Sequence, residues 1–487
     1  MIILGNGAIR DSHVVLKFDT NQGRQVCAPY AYNPATIANG WPSMRFPRET
    51  DRFAMAALLL GKIQSDPDNL SPVRALQSFL LRQVITTERR VKRLRKAQAR
   101  IRALKRKGST KQRSSLLKSL DSNAAERIAD LHQLIFLWKC FGDGLACVYQ
   151  SSYSLKHLFF DGDYAIKSDA GFFIGKAGFM QEYRLLRKAL SMNVPAILSD
   201  LTNVIRHGDV CLMGAADPVP LEVKSSSNRN ARTGRQSEQL RVLHEFFRDD
   251  GASNFRGVPN TKRVPVSAPL VSYQALINEC MSDAWVNGLS TRSPEAGLTY
   301  LCAQNDGRRD EGVMELLAQY PASTTMFVTL TPESSWLPHK SFTASLSPVN
   351  TVLFMQERLA VLVVIDLLVL KRLLDERGLE PVIIMDGTTA IQISPRKDPE
   401  RGNAEGRSIA EDWHDRIGVF RISEFHFLRT ATQFESLRWF ADTLADQMEA
   451  VRRETLTEIT PEDPTLMEVP MEWLSAKDCF GGTTGKE

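Results

Sequence analysis

Residues 206–226 read RHGDVCLMGAADPVPLEVKSS. Two short apolar runs, 209–213 and 220–224, flank a link punctuated by Gly214, Asp217 and Pro218. That pattern predicts two paired strands. Side chains alternate faces along a strand. Glu222 and Lys224 therefore share one face, and Leu221 and Val223 the other. Asp209 opens the neighbouring strand, and pairing would bring it beside Glu222. Two carboxylates and a lysine then converge on one patch.

Paired carboxylates suit Mg²⁺ or Mn²⁺, hard cations that prefer oxygen ligands. Such a metal polarises a phosphate oxygen and lowers the pKa of a bound water. A lysine two residues from the second carboxylate can orient that water or stabilise developing negative charge. An isolated E-x-K is an ordinary surface ion pair. An Asp at a strand start, a turn, and then apolar-Glu-apolar-Lys-Ser-Ser is far more restrictive.

With Asp209, Glu222 and Lys224 so placed, residues 172–270 resemble the PD-(D/E)XK nuclease superfamily, the restriction-endonuclease-like fold. The resemblance implies an αβββαβ core and metal-dependent hydrolysis of phosphodiester bonds. It implies that Asp209 and Glu222 hold the metal, with the Val223 carbonyl as a third ligand. Lys224 would position or activate the attacking water. A glutamate on the helix before the first strand often joins such sites, and GKAGFMQEYRLLRKAL supplies Glu182 there. Glu182 lies at the edge of an apolar face formed by Tyr183, Leu186 and Leu190, so metal ligation and plain solvation both remain open. A glutamine on the helix after the E-x-K strand also recurs, and Gln236 and Gln239 stand at that place. One departure is Gly208, where many members have Pro. The resemblance further implies a bacterial defence or mobile-element setting. A nuclease fold kept for nucleic-acid binding or as a scaffold, with little catalysis, is the competing expectation.

Nearby residues have two readings each. Asp200 can help hold a metal or cap the turn after a strand at 194–198. His207 can assist proton transfer or serve as a hydrogen-bonded structural residue.

Residues 71–145 are expected to form a helical hairpin. Val84, Val91, Leu94, Gln98, Ile101 and Lys105 follow a heptad seam, strengthened by Ala97 and Leu104. Leu117, Ala124, Leu131 and Trp138 then recur every seven residues. Residues 89–113 hold thirteen Lys or Arg and no acid, whereas the whole chain is only +5. The rest of the chain is therefore net acidic. With no interleaved acids, i,i+4 ion pairs cannot neutralise the run. A polyanion would, through phosphate contacts and counterion release. Arg93, Lys96, Arg100, Lys105 and Arg106 are the expected contacts to DNA, with RNA as the related alternative. The run lacks aromatics for stacking single-stranded bases. Heptads on both arms also open the hairpin to a second copy of the chain or another protein.

At 487 residues, 43% hydrophobic and 24% charged, the chain has the composition of a soluble multidomain α/β protein. None of the seven cysteines forms a C-x-x-C pair, which argues against a zinc knuckle and suits a reducing cytoplasm. Met1 runs into Ile2-Ile3-Leu4 without a basic region, so no signal peptide is expected. The longest apolar run, 359–370, contains Asp366 and is too short to span a membrane. It is expected to lie in one long buried helix over 357–377. The predicted organisation is a β-rich region at 1–70, the inserted basic hairpin at 71–145 and the nuclease-like core at 146–270. A strand at 264–266 would close that core. An α/β domain at 271–453, with strands at 326–330, 382–385 and 390–393, and an acidic tail at 454–487 follow.

Overall fold

The computed structural model describes residues 3–5, 46–106, 110–168, 171–176, 178–223, 231–264, 266, 268–305, 310–333, 336–386, 389–395 and 419–458. Lys224, the apolar run at 14–18 and the acidic tail past residue 458 lie outside them. The protein is mixed α/β, with long helices and small antiparallel sheets. Its first strand is β1 (Ile3–Gly5). Two compact units form: the described residues within 43–261 and 332–357, and those within 1–42, 262–331 and 358–487.

The first unit is built on α1 (Thr50–Ser65), α2 (Leu70–Arg106) and α3 (Lys111–Tyr149). Helix α1 falls in the stretch expected to be β-rich. Its Ala, Leu and Met content favours helix, and it buries Phe53 against Trp138, ring centroids 4.6 Å apart. The heptad seam is the buried seam: Val84, Val91, Leu117, Ala124, Leu131 and Trp138 are all buried. Ala97 and Leu104 are exposed instead. The hairpin does not stand as a unit of its own, because its residues cluster with those of the sheet that follows.

That sheet is a three-stranded antiparallel meander, β2 (Ala196–Leu198), β3 (Val210–Leu212) and β4 (Val219–Leu221). It is preceded by α4 (Phe179–Ser191) and followed by α5 (Ala231–Asp249) and β5 (Gly251–Phe255). The order in the chain is thus α-β-β-β-α-β. Strand β5 pairs with β6 (Val258–Lys262) in a separate ribbon. The strand expected at 264–266 does not form over its described residues. Pro265, in the middle of that run, has no N–H for a ladder.

Side chains of α2 and α3 complete the backbone of this region. Gln77 donates to the Ala196 carbonyl (2.8 Å) and accepts from Leu198 N–H (3.2 Å). It pairs with the free edge of β2 as a neighbouring strand would. Asp143 accepts from the Asn203 and Val204 N–H groups and from the Asn203 side chain. Gly142 lies so close to the Leu201 carbonyl that a Cβ there would stand 2.0 Å from its oxygen.

The second unit holds two four-stranded antiparallel sheets. One, in the order β7-β8-β10-β9, joins β7 (Leu289–Glu295), β8 (Leu298–Gln304), β9 (Thr325–Leu330) and β10 (Leu359–Asp366), with α6 (Gln274–Asn287) packed on β7 and β8. The other pairs β1 with β13 (Val419–Ser423), then β12 (Thr389–Pro395) and β11 (Leu379–Ile383). The long helix expected over 357–377 is instead β10 followed by α7 (Leu367–Asp375). Val361, Val363, Val364 and Ile365 are β-branched and favour a central strand. Asp366 then caps α7 by accepting from Leu368 and Val369 N–H. Helix α8 (Leu437–Glu458) packs against α7.

Candidate active site

The site forms where α4 meets β2 and β3. Helix α4 is amphipathic, and Glu182 shares its buried face with Leu186 and Ala189. The first turn of α4 therefore aims Glu182 inward, only 3% exposed. Asp200 lies in a short 3-10 turn directly after β2 and is also buried. Asp209 directly precedes β3.

Asp209 is set by a slip in the ladder. Val210 pairs with Leu221 in register, yet Asp209 N–H also donates to the Leu221 carbonyl, at 2.8 Å. The preceding residue, Gly208, has φ +71, and a Cβ on it would meet Leu221 backbone atoms at 2.8–2.9 Å. Proline, whose φ is fixed near −65°, could not take this backbone conformation. The Asp209 carboxylate then accepts the Val223 N–H through Oδ2 (2.9 Å).

Around one point these carboxylates meet a cation. Lys176 Nζ lies 2.8 Å from Asp200 Oδ2, 2.9 Å from Glu182 Oε2 and 3.0 Å from Asp209 Oδ1. The lysine is carried on the loop before α4, whose Phe173 and Ile174 N–H groups are held by the buried Glu88 carboxylate of α2, each at 3.1 Å. Burial opposes the charge on Lys176, but Asp200, Glu182 and Asp209 outweigh it and hold the amine well above its ordinary range. Burial pushes the Glu182 carboxyl up to about 7 against the pull of Lys176, with Asp209 and Asp200 adding to the rise. Three carboxylates share one ammonium, so negative charge is in excess.

That donor set is chemically suited to a hard divalent cation, three oxygens with surplus negative charge. Its present spacing fits an ammonium, since Mg–O bonds are about 2.0–2.1 Å. Accordingly, among the described residues no group of three or more His, Cys, Asp or Glu is set to hold a metal as it stands. The trio must draw in to take one.

The remaining sequence candidates lie around β4 and α5. Glu222 lines an open cleft with Ser237, Leu240, Arg241, His244, Glu245 and Arg248. Its charge is felt at Lys167, whose amine burial lowers while Asp161 and Glu222 pull it back up. Lys167 Nζ donates to His207 Nδ1 (3.0 Å) and reaches Gln239 Oε1 at 3.5 Å. Gln239 also donates to Asp161. Gln236 lies half-exposed on the first turns of α5. His207 donates through Nε2 to the Phe160 carbonyl (2.8 Å). Burial first, then Lys167, lowers its pKa to about 4, so at neutral pH it is a neutral, hydrogen-bonded structural residue. Asp209 and Glu182 thus come together. Asp200 joins them, and so does Lys176, which no motif marks. The only sequence signal for Lys176 is its bracket of glycines, Gly175 and Gly178, both at φ near +90.

On the hairpin, Arg93, Lys96, Arg100 and Arg106 are exposed. Lys105 is half-buried and pairs with Asp121 at 2.8 Å.

No protein-family model, curated protein or solved structure matches the chain.

Proposed function

We propose that this protein is a Mg²⁺- or Mn²⁺-dependent DNA nuclease with a PD-(D/E)XK-type core. One observation carries the reading: Glu182, Asp200 and Asp209, from three separate elements, converge on a single cationic centre. The α-β-β-β-α order of elements along the chain supports it, with the strand that follows, β5, paired to β6 outside this sheet. Asp209, Glu182 and Asp200 would hold the metal, with Glu222 and the Val223 carbonyl at the end of β4 as further oxygen ligands. When bound, the metal would supply Lewis-acid activation of a phosphate and of a water. The chain's own residues do the rest. Val223 N–H fixes the rotamer of Asp209. Glu88 anchors the Lys176 loop. Gln236 or Gln239, both on α5, would stabilise the site or contact the nucleic-acid backbone, and Lys224 would position the attacking water. The exposed cations of α2 would bind phosphates without reading bases.

A second reading has an observation of its own. Lys176 already pairs with all three carboxylates, which suits a protein that binds nucleic acid or a partner chain without cutting. Incubating the protein with linear, circular and branched DNA, with Mg²⁺ or Mn²⁺ and with a chelator, separates the two. Metal-dependent cleavage supports the nuclease. Salt-sensitive binding with no cleavage under any of these conditions supports the binding protein.

A further inference from the structure

The nuclease reading leaves Lys176 without a task, and this inference rests on that reading. The ammonium occupies the point on which Glu182, Asp200 and Asp209 converge, at 2.8–3.0 Å from each. Like charges repel, and a metal and an ammonium cannot share that point. The lysine is also built to leave. Gly175 and Gly178 bracket it, and a Cβ added to Gly175 would meet nothing within 4 Å. Behind the bracket, Glu88 holds Phe173 and Ile174 in place. Motion is thereby confined to the few residues that carry the ammonium, whose side chain is still 24% exposed.

We infer that Lys176 is a tethered counter-ion of the carboxylate trio, and that a divalent metal enters the site by displacing it into solvent. A divalent cation brings twice the charge of the ammonium it displaces to the three carboxylates, which favours it over a monovalent ion. Without metal the lysine holds the three carboxylates together and keeps the site in a resting state.

Lysine acetylation followed by mass spectrometry tests this on the unmodified full chain, with Lys188, an exposed residue of α4, as internal standard. An ammonium held between three carboxylates is shielded from the reagent, and one released into solvent is not. Saturating Mg²⁺ or Mn²⁺ should raise the labelling of Lys176 toward that of Lys188, and saturating K⁺ should not. Equal labelling with and without divalent metal would overturn the inference. A second arm follows free Mn²⁺ by its electron paramagnetic resonance signal. Lys176→Met should bind Mn²⁺ at least about ten-fold more tightly than the parent chain, and equal or weaker binding would overturn the inference. Neither arm reads cleavage. Displacement without cleavage would refute the nuclease reading alone, and cleavage without displacement would refute this inference alone.

Discussion

The two halves of the helical hairpin follow one heptad seam and do different work. Near the body, α2 and α3 bury polar groups that finish other elements: Gln77 edges β2, Glu88 holds the Lys176 loop and Asp143 holds the 203–204 backbone. Farther out, the seam thins to the half-buried Leu94, Gln98, Ile101 and Lys105, and most of the outward positions of α2 are arginine or lysine. Identical periodicity thus specifies helix pairing in both halves. Whether a polar side chain is structural or available to a partner depends on what else packs there. The near half positions the carboxylate site, and the far half offers charge.

The near half is most sensitive at Gly142. Gly142→Ala would drive a Cβ into the Leu201 carbonyl, one residue from Asp200. Overpacking of this kind should cost about 3 kcal/mol or more. A urea midpoint equal to that of the parent chain would mean that the near half is not tightly built into the site.

Asp143 gives a pH signature of comparable size. Burial first raises its carboxyl to about 6, against hydrogen bonds from Asn203 and Val204. The folded state therefore binds its proton more tightly than the unfolded chain, where the carboxyl titrates near the ordinary 3.8. Stability from this group is full below about 4 and is lost as pH rises to about 6, by about 3 kcal/mol. Subtracting the stability of Asp143→Asn at each pH isolates it. Parallel curves for the two proteins across that window would refute the assignment.

The far half should behave in the opposite way. Neutralising Arg93, Lys96, Arg100, Lys105 and Arg106 together should change unfolding by less than about 1 kcal/mol. It should weaken binding to unrelated DNA sequences alike. The slope of log affinity against log salt should fall by roughly one unit for each phosphate that is no longer neutralised. An unchanged slope would direct the hairpin to a protein partner.

These differences explain which features the sequence discloses. Gly214, Asp217 and Pro218 mark a turn locally, so the β3–β4 pair is legible, and so is the apolar face of α4; that Glu182, at its edge, turns inward is set by the packing. The heptad seam is legible because Val84, Val91, Leu117 and Leu131 repeat at fixed spacing. The ion pairs of Lys176 are not. They join a loop to Asp200 and Asp209, 24 and 33 residues away, and no local pattern encodes that distance. Asp200 keeps two readings in the sequence, metal ligand or turn cap, for the same reason. The run at 359–366 has no period at all, and a fully buried strand and a buried helix look alike there. Its β-branched residues and the capping Asp366 are the signals that distinguish them.

Single-turnover DNA cleavage by the parent chain and by Asp209→Asn, with Mg²⁺ or Mn²⁺, tests the proposed metal-dependent nuclease site directly. Asp209 touches Lys176 and Val223 without supporting the hydrophobic core, so the variant should keep its fold by circular dichroism. Metal-dependent cleavage is expected of the parent chain, with a loss of about a hundred-fold or more in the variant, the scale of losing a group essential to the chemical step. Equal cleavage by the two folded proteins, or none by the parent chain, would contradict the proposed site.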